Sequence, residues 1–371
     1  MSMQILFPSI VTLFFGAVHY LSFSRVICHL HVKPQTRLFL KYLLLANMAG
    51  IVGYLCSRYL LSPPKLIYFA LSLSIGIGFI LFMGTILYEL LHLIQRLAPF
   101  KEEKRIFFKR VTDIGFLTLG STYLGAGVLE GAKDPVVNFV EVKQNRFDGK
   151  KYTIVQISDL HIGGLIDKEF VAKSVAAINR LNPDLIAITG DLSDAHIDIV
   201  KEAVDELRHL TSRYGTYYVV GNHEYFHSVE DTVAYVKTLG IHVLENSAVR
   251  IDDFYIAGVY DLFGFRTKTH IPDIAQAMRD IPPEMPILLL AHQPKYVEYL
   301  EGFTPSLILS GHTHGGQIWP FGVLVSLAQP YIKGLYPMET NRHIYVNSGI
   351  GFWGPPMRLG SQAEITCIAW S

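Results

Sequence analysis

The chain has 371 residues, with Lys+Arg and Asp+Glu balanced at 32 each, so it lacks the global basic field that draws proteins to nucleic acid. Only 17% of its residues are charged and its mean hydropathy is +0.30, too apolar for a wholly soluble protein of this length. The three cysteines, Cys28, Cys56 and Cys367, exclude a disulfide framework or a Cys-rich zinc site in the later half.

The apolar excess lies before about residue 130. Residues 3–23 form an uncharged run long enough to cross a hydrocarbon core. A second run, 38–61, is interrupted by Lys41 and Arg58, and a third, 66–93, holds Glu89 as its only acid. A fourth, 114–129, is shorter, rich in glycine and bounded by Asp113 and Glu130. Three spans are expected, with the fourth as a further candidate. The first lacks the positive leading region of a signal peptide and is followed by two more spans. Its connection to the second carries Arg25, Lys33 and Arg37, and that between the third and fourth carries Arg96, Lys101, Lys104, Arg105, Lys109 and Arg110. Positive-inside bias puts both connections in the cytoplasm and the N-terminus outside. Four spans then set the later domain on the outer face of the inner membrane. If the fourth segment lies on the membrane, that domain is cytoplasmic. Residues 1–133 are thus read as a transmembrane region of three to four helices that anchors the later domain, ending near the Gly131 to Pro135 punctuation.

From residue 150 onward short apolar runs alternate with amphipathic stretches. Strands are expected at 152–157, 184–189, 216–220, 255–259, 287–291, 307–309, 344–346 and 364–369, with helices at 168–181, 197–211 and 229–239. Fully apolar strands alternating with helices argue for a layered α/β fold, in which functional residues gather at the carboxyl ends of strands. Five motifs do so: Asp159-Leu160-His161, Gly190-Asp191, Gly221-Asn222-His223-Glu224, Ala291-His292 and Gly311-His312-Thr313-His314.

A phosphoester repels anionic nucleophiles, so its hydrolysis benefits from two cations roughly 4 Å apart that neutralise the phosphate and generate hydroxide near pH 7. Asp191, in a tight Gly-Asp turn, is the natural bridge between them. Asp159 and His161 alternate on one extended segment and face one ion, while His312 and His314 diverge to one ion each. His292 and the Asn222 side-chain oxygen complete the coordination of the second ion. Carboxylate, imidazole and amide ligands suit Mn²⁺, Fe or Zn²⁺. His223, next to a ligand, is placed to act as general acid or transition-state stabiliser.

On these motifs, residues 150–371 resemble the calcineurin-like metallophosphoesterases. The resemblance implies a four-layer α/β sandwich, with Asp159, His161, Asp191 and His314 on one metal, Asp191, Asn222, His292 and His312 on the other, and His223 catalytic. The extended Gly311-His312-Thr313-His314-Gly315-Gly316-Gln317 is similar to a membrane-associated bacterial subgroup, some members of which hydrolyse UDP-2,3-diacylglucosamine in lipid A synthesis. That substrate is made in the cytoplasm, whereas the charge bias with four spans points outward.

The expected activity is therefore metal-dependent hydrolysis of a phosphodiester or pyrophosphate bond in a membrane lipid or lipid-linked substrate. The alternatives are a phosphomonoesterase acting on phosphoproteins or small molecules, and a membrane binding or transport component with a vestigial phosphoesterase domain. Nothing in the sequence specifies a protein partner. Gly315, Gly316 and Gln317 are candidate substrate contacts through backbone N–H groups. Asn347-Ser348-Gly349 is a weaker candidate for lining the cleft. Arg342, Arg358 and Lys333 are read as solvated surface, with gripping a second phosphate as the alternative. His196, His227, His270 and His343 are ordinary polar positions. The apolar stretch 321–336 with 352–357 is either core at the end of the sandwich or an exposed rim that meets lipid.

Overall fold

The computed structural model describes residues 3–57, 63–97, 101–144, 146–147, 149–338 and 341–371. They form two units, one comprising the chain up to Ala132 together with Gly354–Met357, the other comprising Lys133–Trp353 and Arg358–Ser371.

The first unit is helical: α1 (Met3–Leu21), α2 (Pro34–Ser57), α3 (Lys65–Leu97) and α4 (Glu102–Gly131). Three segments, Pro8–His29, Pro34–Ser57 and Lys65–Gln95, are long and apolar enough to cross a membrane. Arg58 and residues 59–61 of the expected second span lie outside the described residues. The expected fourth segment is only the later part of α4, whose first part carries Glu102, Glu103, Lys104, Arg105, Lys109 and Arg110. Leu13 and Leu66, 74% and 80% exposed, face outward, as hydrocarbon rather than water requires. Between helices, apolar clusters such as Phe15, Ile51, Tyr54 and Leu55 are supplemented by polar contacts, because apolar packing alone gains little in lipid. His19 Nε2 donates to Asn47 Oδ1 at 2.9 Å, Asn47 Nδ2 donates to Ser74 O at 3.2 Å, and the Ser22 and Thr85 hydroxyls bond at 2.8 Å. Residues 355–357, read as either core at the end of the sandwich or an exposed rim, are buried and belong to this unit. A Cβ on Gly127 would stand 2.6 Å from Met357 Cε.

The second unit holds two mixed sheets. In the first, β1 (Val136–Val142), β12 (Glu364–Trp370), β2 (Tyr152–Ile157), β3 (Leu185–Thr189), β4 (Thr216–Val219) and β5 (His242–Val243) lie side by side in that order, with β12 antiparallel only to β2. In the second the order is β10 (Gly334–Pro337), β11 (His343–Val346), β9 (Leu307–Ser310), β8 (Ile287–Leu290), β7 (Phe254–Gly258) and β6 (Ser247–Ile251). The β11, β9, β8 and β7 strands run parallel and the two edges run antiparallel.

Alternation of side chains along each strand splits the core into three layers. Ile154, Leu185 and Ala187 meet Leu288, Leu290 and Leu309 between the sheets. Val155, Ile157, Ile186 and Ile188 face outward onto α5 (Lys168–Asn179), α6 (Ile197–Val204) and α7 (Val229–Thr238). On the far side Leu289, Ala291, Ile308 and Val346 are covered by α9 (Ile274–Met278) and neighbouring loops, with the short α8 (Phe263–Thr267) preceding it. This is the layered α/β architecture anticipated from the strand pattern. The expected helix 197–211 stops at Val204 and tightens into a 3₁₀ turn, Asp205–His209. The carboxylate of Asp205, bonded by Tyr235 at 2.5 Å and Arg208 at 2.9 Å, sits where the turn tightens.

Candidate metal centre

All five motifs emerge at strand ends. The β2 strand delivers Asp159 and His161, β3 delivers Asp191, β4 delivers Asn222 and His223, β8 delivers His292, and β9 delivers His312 and His314. The strands of each set are parallel, so their carboxyl ends meet at one place. Five of the seven proposed ligands adopt left-handed backbone: Asp159 (φ 53), His161 (φ 50), Asp191 (φ 51), His312 (φ 68) and His314 (φ 50). Such conformations cost free energy in non-glycine residues and gather at functional sites. They turn the chain sharply as it leaves the strand and aim successive side chains inward. Gly311 is glycine for a related reason, since a Cβ there would collide with Ser158 Oγ and Asp159 Oδ2.

The side chains fall into two converging sets. In one, the Nε2 atoms of His161 and His314 face each other at 3.0 Å, and Asp159 Oδ1 lies 3.4 Å from His314 Nε2. In the other, Asp191, His292 and His312 present ligand atoms within 4.8 Å of one another, and the Asn222 oxygen lies 3.2 Å from His292 Nε2. Asp191 Oδ2 serves both, at 3.3 Å from His292 Nε2 and 3.8 Å from His161 Nε2. Two lone-pair nitrogens pointing at one spot beside carboxylate oxygens make a poor hydrogen-bonded core, but they suit a divalent cation. The ring orientations agree. His292 Nδ1 donates to Thr189 O at 2.7 Å and His161 Nδ1 donates to Asp194 Oδ1 at 2.8 Å, turning each Nε2 toward the site.

Charges within the site follow from burial and crowding. Burial pushes the Asp191 carboxyl up, but His292 and His223 hold it well below the usual carboxylate range. Burial pulls His292 down, yet Asp191 and Asp159 keep it well above the ordinary imidazole value. His312 is pushed down to about 3 by burial and by His292, and His314 falls well below its usual value through burial and His161. The two imidazoles of the His312–Thr313–His314 pair are thus neutral, as ligands must be, whereas His292 would give up its second proton on binding a cation.

Three residues matter here that the sequence alone gave no such role. Asp194 accepts from His161 Nδ1 and from His223 Nδ1, the latter at 2.6 Å, so one oxygen orients a proposed ligand and the proposed acid. Its signal was its place three residues beyond Asp191. Glu224 accepts from the N–H groups of Gly221 (2.6 Å), Leu192 (2.7 Å) and Asp191 (3.2 Å), tying the β3 and β4 loops together. Arg358, read as solvated surface, is only 1% exposed. Its guanidinium donates to the carbonyls of Ser348, Gly349, Gly351 and Gln362, which repay the desolvation that an exposed position would have avoided.

Other expected contacts are placed differently. The N–H groups of Gly315, Gly316 and Gln317 close the loop on itself, onto Thr313 Oγ1, Thr313 O and His314 O. The Gln317 amide both donates to and accepts from the Trp353 backbone at 2.9 Å. This corrects the expectation of free backbone donors: the turn consumes them. Asn347 is buried, donating to Thr366 Oγ1 at 2.8 Å and accepting from Gly349 N at 2.7 Å. Lys333 Nζ donates to Gly360 O and Arg342 Nε to Pro305 O. His196 caps α6.

A family model described as calcineurin-like phosphoesterase matches residues 152–316. An "uncharacterized metallophosphoesterase" of Helicobacter pylori (strain ATCC 700392 / 26695) is 33% identical over 353 residues, 95% of this chain and 94% of the relative. A "transmembrane protein with metallophosphoesterase domain" of Danio rerio is 31% identical over 335 residues, 85% of this chain and 76% of the relative. Its namesake in Bos taurus is 39% identical over 257 residues, 65% and 58% of the two chains. These names give the chemistry and, in two cases, the membrane.

Proposed function

Because the chain belongs to the calcineurin-like metallophosphoesterase family, we propose that it hydrolyses a phosphodiester or pyrophosphate bond in a lipid-linked substrate of the UDP-2,3-diacylglucosamine type. It is a metal-dependent phosphoesterase with paired His/Asp metal sites and three helices able to span a membrane. The observation that carries the reading is the single Asp191 oxygen within 3.3 Å of one set and 3.8 Å of the other. Asp159, His161, Asp191 and His314 would hold one ion, and Asp191, Asn222, His292 and His312 the other. Mn²⁺ is the proposed metal, with Fe and Zn²⁺ as alternatives. When bound, two such ions supply positive charge for the phosphoryl oxygens and an activated water near neutral pH.

The chain's own residues do the rest. Asp194 fixes the His223 ring through Nδ1–H, so Nε2 faces the site, 3.9 Å from Asp191 Oδ2. From there the ring would donate a proton to the departing oxygen. Glu224 and Arg358 hold the ligand-bearing loops in register. Lipid linkage is supported by the apolar helices, which keep the site at a membrane surface.

The test is Mn²⁺-dependent turnover by the detergent-purified full-length protein. Bis-p-nitrophenyl phosphate is expected to be cleaved in preference to p-nitrophenyl phosphate; UMP release from UDP-2,3-diacylglucosamine, which is made in the cytoplasm, would assign that substrate and overturn the outward placement given below. A strong monoester preference would instead select the phosphomonoesterase reading.

We place the catalytic domain on the outer face of the inner membrane, with residues 114–129 of α4 crossing. That apolar stretch spans about 24 Å against a hydrocarbon core of about 30 Å, a mismatch the bilayer accommodates by thinning. Glu202→Cys, exposed on α6, in a chain with Cys28 and Cys56 replaced by Ser, is expected to react with a membrane-impermeant maleimide in intact cells. Labelling only after lysis would put the domain in the cytoplasm.

A further inference from the structure

Beyond the metal ligands the chain runs from Ile318 to Ile332 without a charged side chain. Its short helix α10 (Phe321–Val325) and flanking turns leave Trp319 66%, Val323 59%, Leu324 49% and Leu327 81% exposed. Isolated exposed apolar residues are ordinary, but four large ones within nine positions form a patch that calls for a partner. The segment is not a loose loop. Trp319 N donates to Leu359 O at 2.8 Å, and Gly322 packs so closely on Gly316 that a Cβ there would lie 2.5 Å from Gly322 Cα. Buried Gln329 accepts from Lys295 N at 2.9 Å and donates to Gln293 Oε1 at 3.2 Å. Thr313, between the two histidine ligands, donates to Ile332 O at 2.5 Å. The polar groups of the segment are used to pin it, at its beginning, middle and end, to the loops that carry His292, His312 and His314. The face left outward is apolar.

We propose that residues 318–332 are a rigid ledge that seats in the headgroup–hydrocarbon boundary of the bilayer, bringing the metal centre to lipid-borne phosphoesters. The chain itself identifies the occupant. Three of its helices are long and apolar enough to cross a bilayer, which would keep an apolar phase within reach of a domain joined covalently to them. Trp319, an amphipathic ring at the edge of the patch, has the chemistry that favours this boundary. The inference rests on the proposed lipid-linked substrate only for its purpose; the seating itself requires only that the helices lie in a membrane.

The test reconstitutes the full-length protein into phosphatidylethanolamine/phosphatidylglycerol vesicles with or without brominated acyl chains and reads tryptophan emission. Of the three tryptophans, Trp370 is fully buried and Trp353 is 37% exposed. The emission lost in Trp319→Phe is expected to be quenched by bromine, and Trp353→Phe is expected to retain that quenching. Val323→Asp with Leu327→Asp should slow hydrolysis of vesicle-borne phosphatidyl-p-nitrophenol by more than about tenfold, the effect of withdrawing even one Leu-sized side chain from hydrocarbon. Soluble bis-p-nitrophenyl phosphate should be turned over as before. Unquenched Trp319 emission in protein active on the soluble diester would overturn the ledge and leave the phosphohydrolase reading intact. Shielding of Trp319 through dimerisation in detergent, without quenching in vesicles, would assign the surface to a second copy instead and also overturn it. Loss of soluble turnover in the unsubstituted chain would strike the phosphohydrolase reading and not the ledge.

Discussion

Asp191→Asn is expected to give a folded chain that holds fewer than two divalent ions and cleaves a phosphodiester at least ~100-fold more slowly, beyond the 10–100-fold typical of losing a partner outside the ligand shell. The substitution separates two jobs. Asp191 Oδ1 accepts from His223 N at 2.9 Å, and the asparagine oxygen can keep that bond, so the β4 loop stays in place. Asp191 Oδ2, which faces His292 and His161, becomes an NH₂ with neither charge nor lone pair. Two cations would then face each other without the shared anion that makes their approach tolerable. Metal analysis and diester turnover, with a thermal melt to show that folding survives, are the measurements. A variant that kept both ions and its rate would remove Asp191 from the bridging position.

The second large effect falls on stability. Arg358→Met is expected to destabilise the phosphoesterase unit by about 3 kcal/mol or more, since hydrogen bonds to a charged group are worth roughly 1.5–3 kcal/mol each and the substitution strands several buried carbonyls. Burial lowers the guanidinium to about 10, so it remains a cation at neutral pH. Methionine keeps much of the aliphatic stem and removes only the fork. The effect should reach the site, because Gly349, one of the bonded residues, lies so close that a Cβ on it would stand 3.0 Å from Asp159 Cβ and 3.2 Å from His314 Nδ1. Arg358→Lys should fall between, retaining the charge but not the planar set of donors. Thermal or denaturant unfolding of the full-length protein reads both. A methionine variant melting with the unsubstituted chain would show that the carbonyls find other partners.

The contrast between Asp191 and Arg358 shows what a sequence makes legible. The eight strands anticipated from apolar runs are all present, because each is buried on at least one full face and so carries a dense pattern. The four that were not anticipated, β1, β5, β6 and β10, are the edges of the two sheets. All four are part-exposed along most of their length, so none presents the fully apolar run of a strand covered on both faces, and β5 is only two residues long. The seven proposed ligands were readable because metal chemistry demands particular side chains at particular strand ends. Asp194, Glu224 and Arg358 were not, because each acts by accepting from or donating to backbone and ring groups that only folding brings together. A charged residue is ordinarily read as solvated, and nothing local to Arg358 announces the carbonyls around it. In the helical unit the three long apolar runs were plain from hydropathy, whereas His19 and Asn47, 28 positions apart, meet only through helix packing.

The most direct test of the binuclear centre is the divalent metal content of the purified full-length chain, measured together with diester turnover before and after chelation. Two ions per chain are expected, with turnover lost on stripping and restored by Mn²⁺. A folded chain that retains no metal, or one whose turnover is unchanged by stripping, would contradict the assignment.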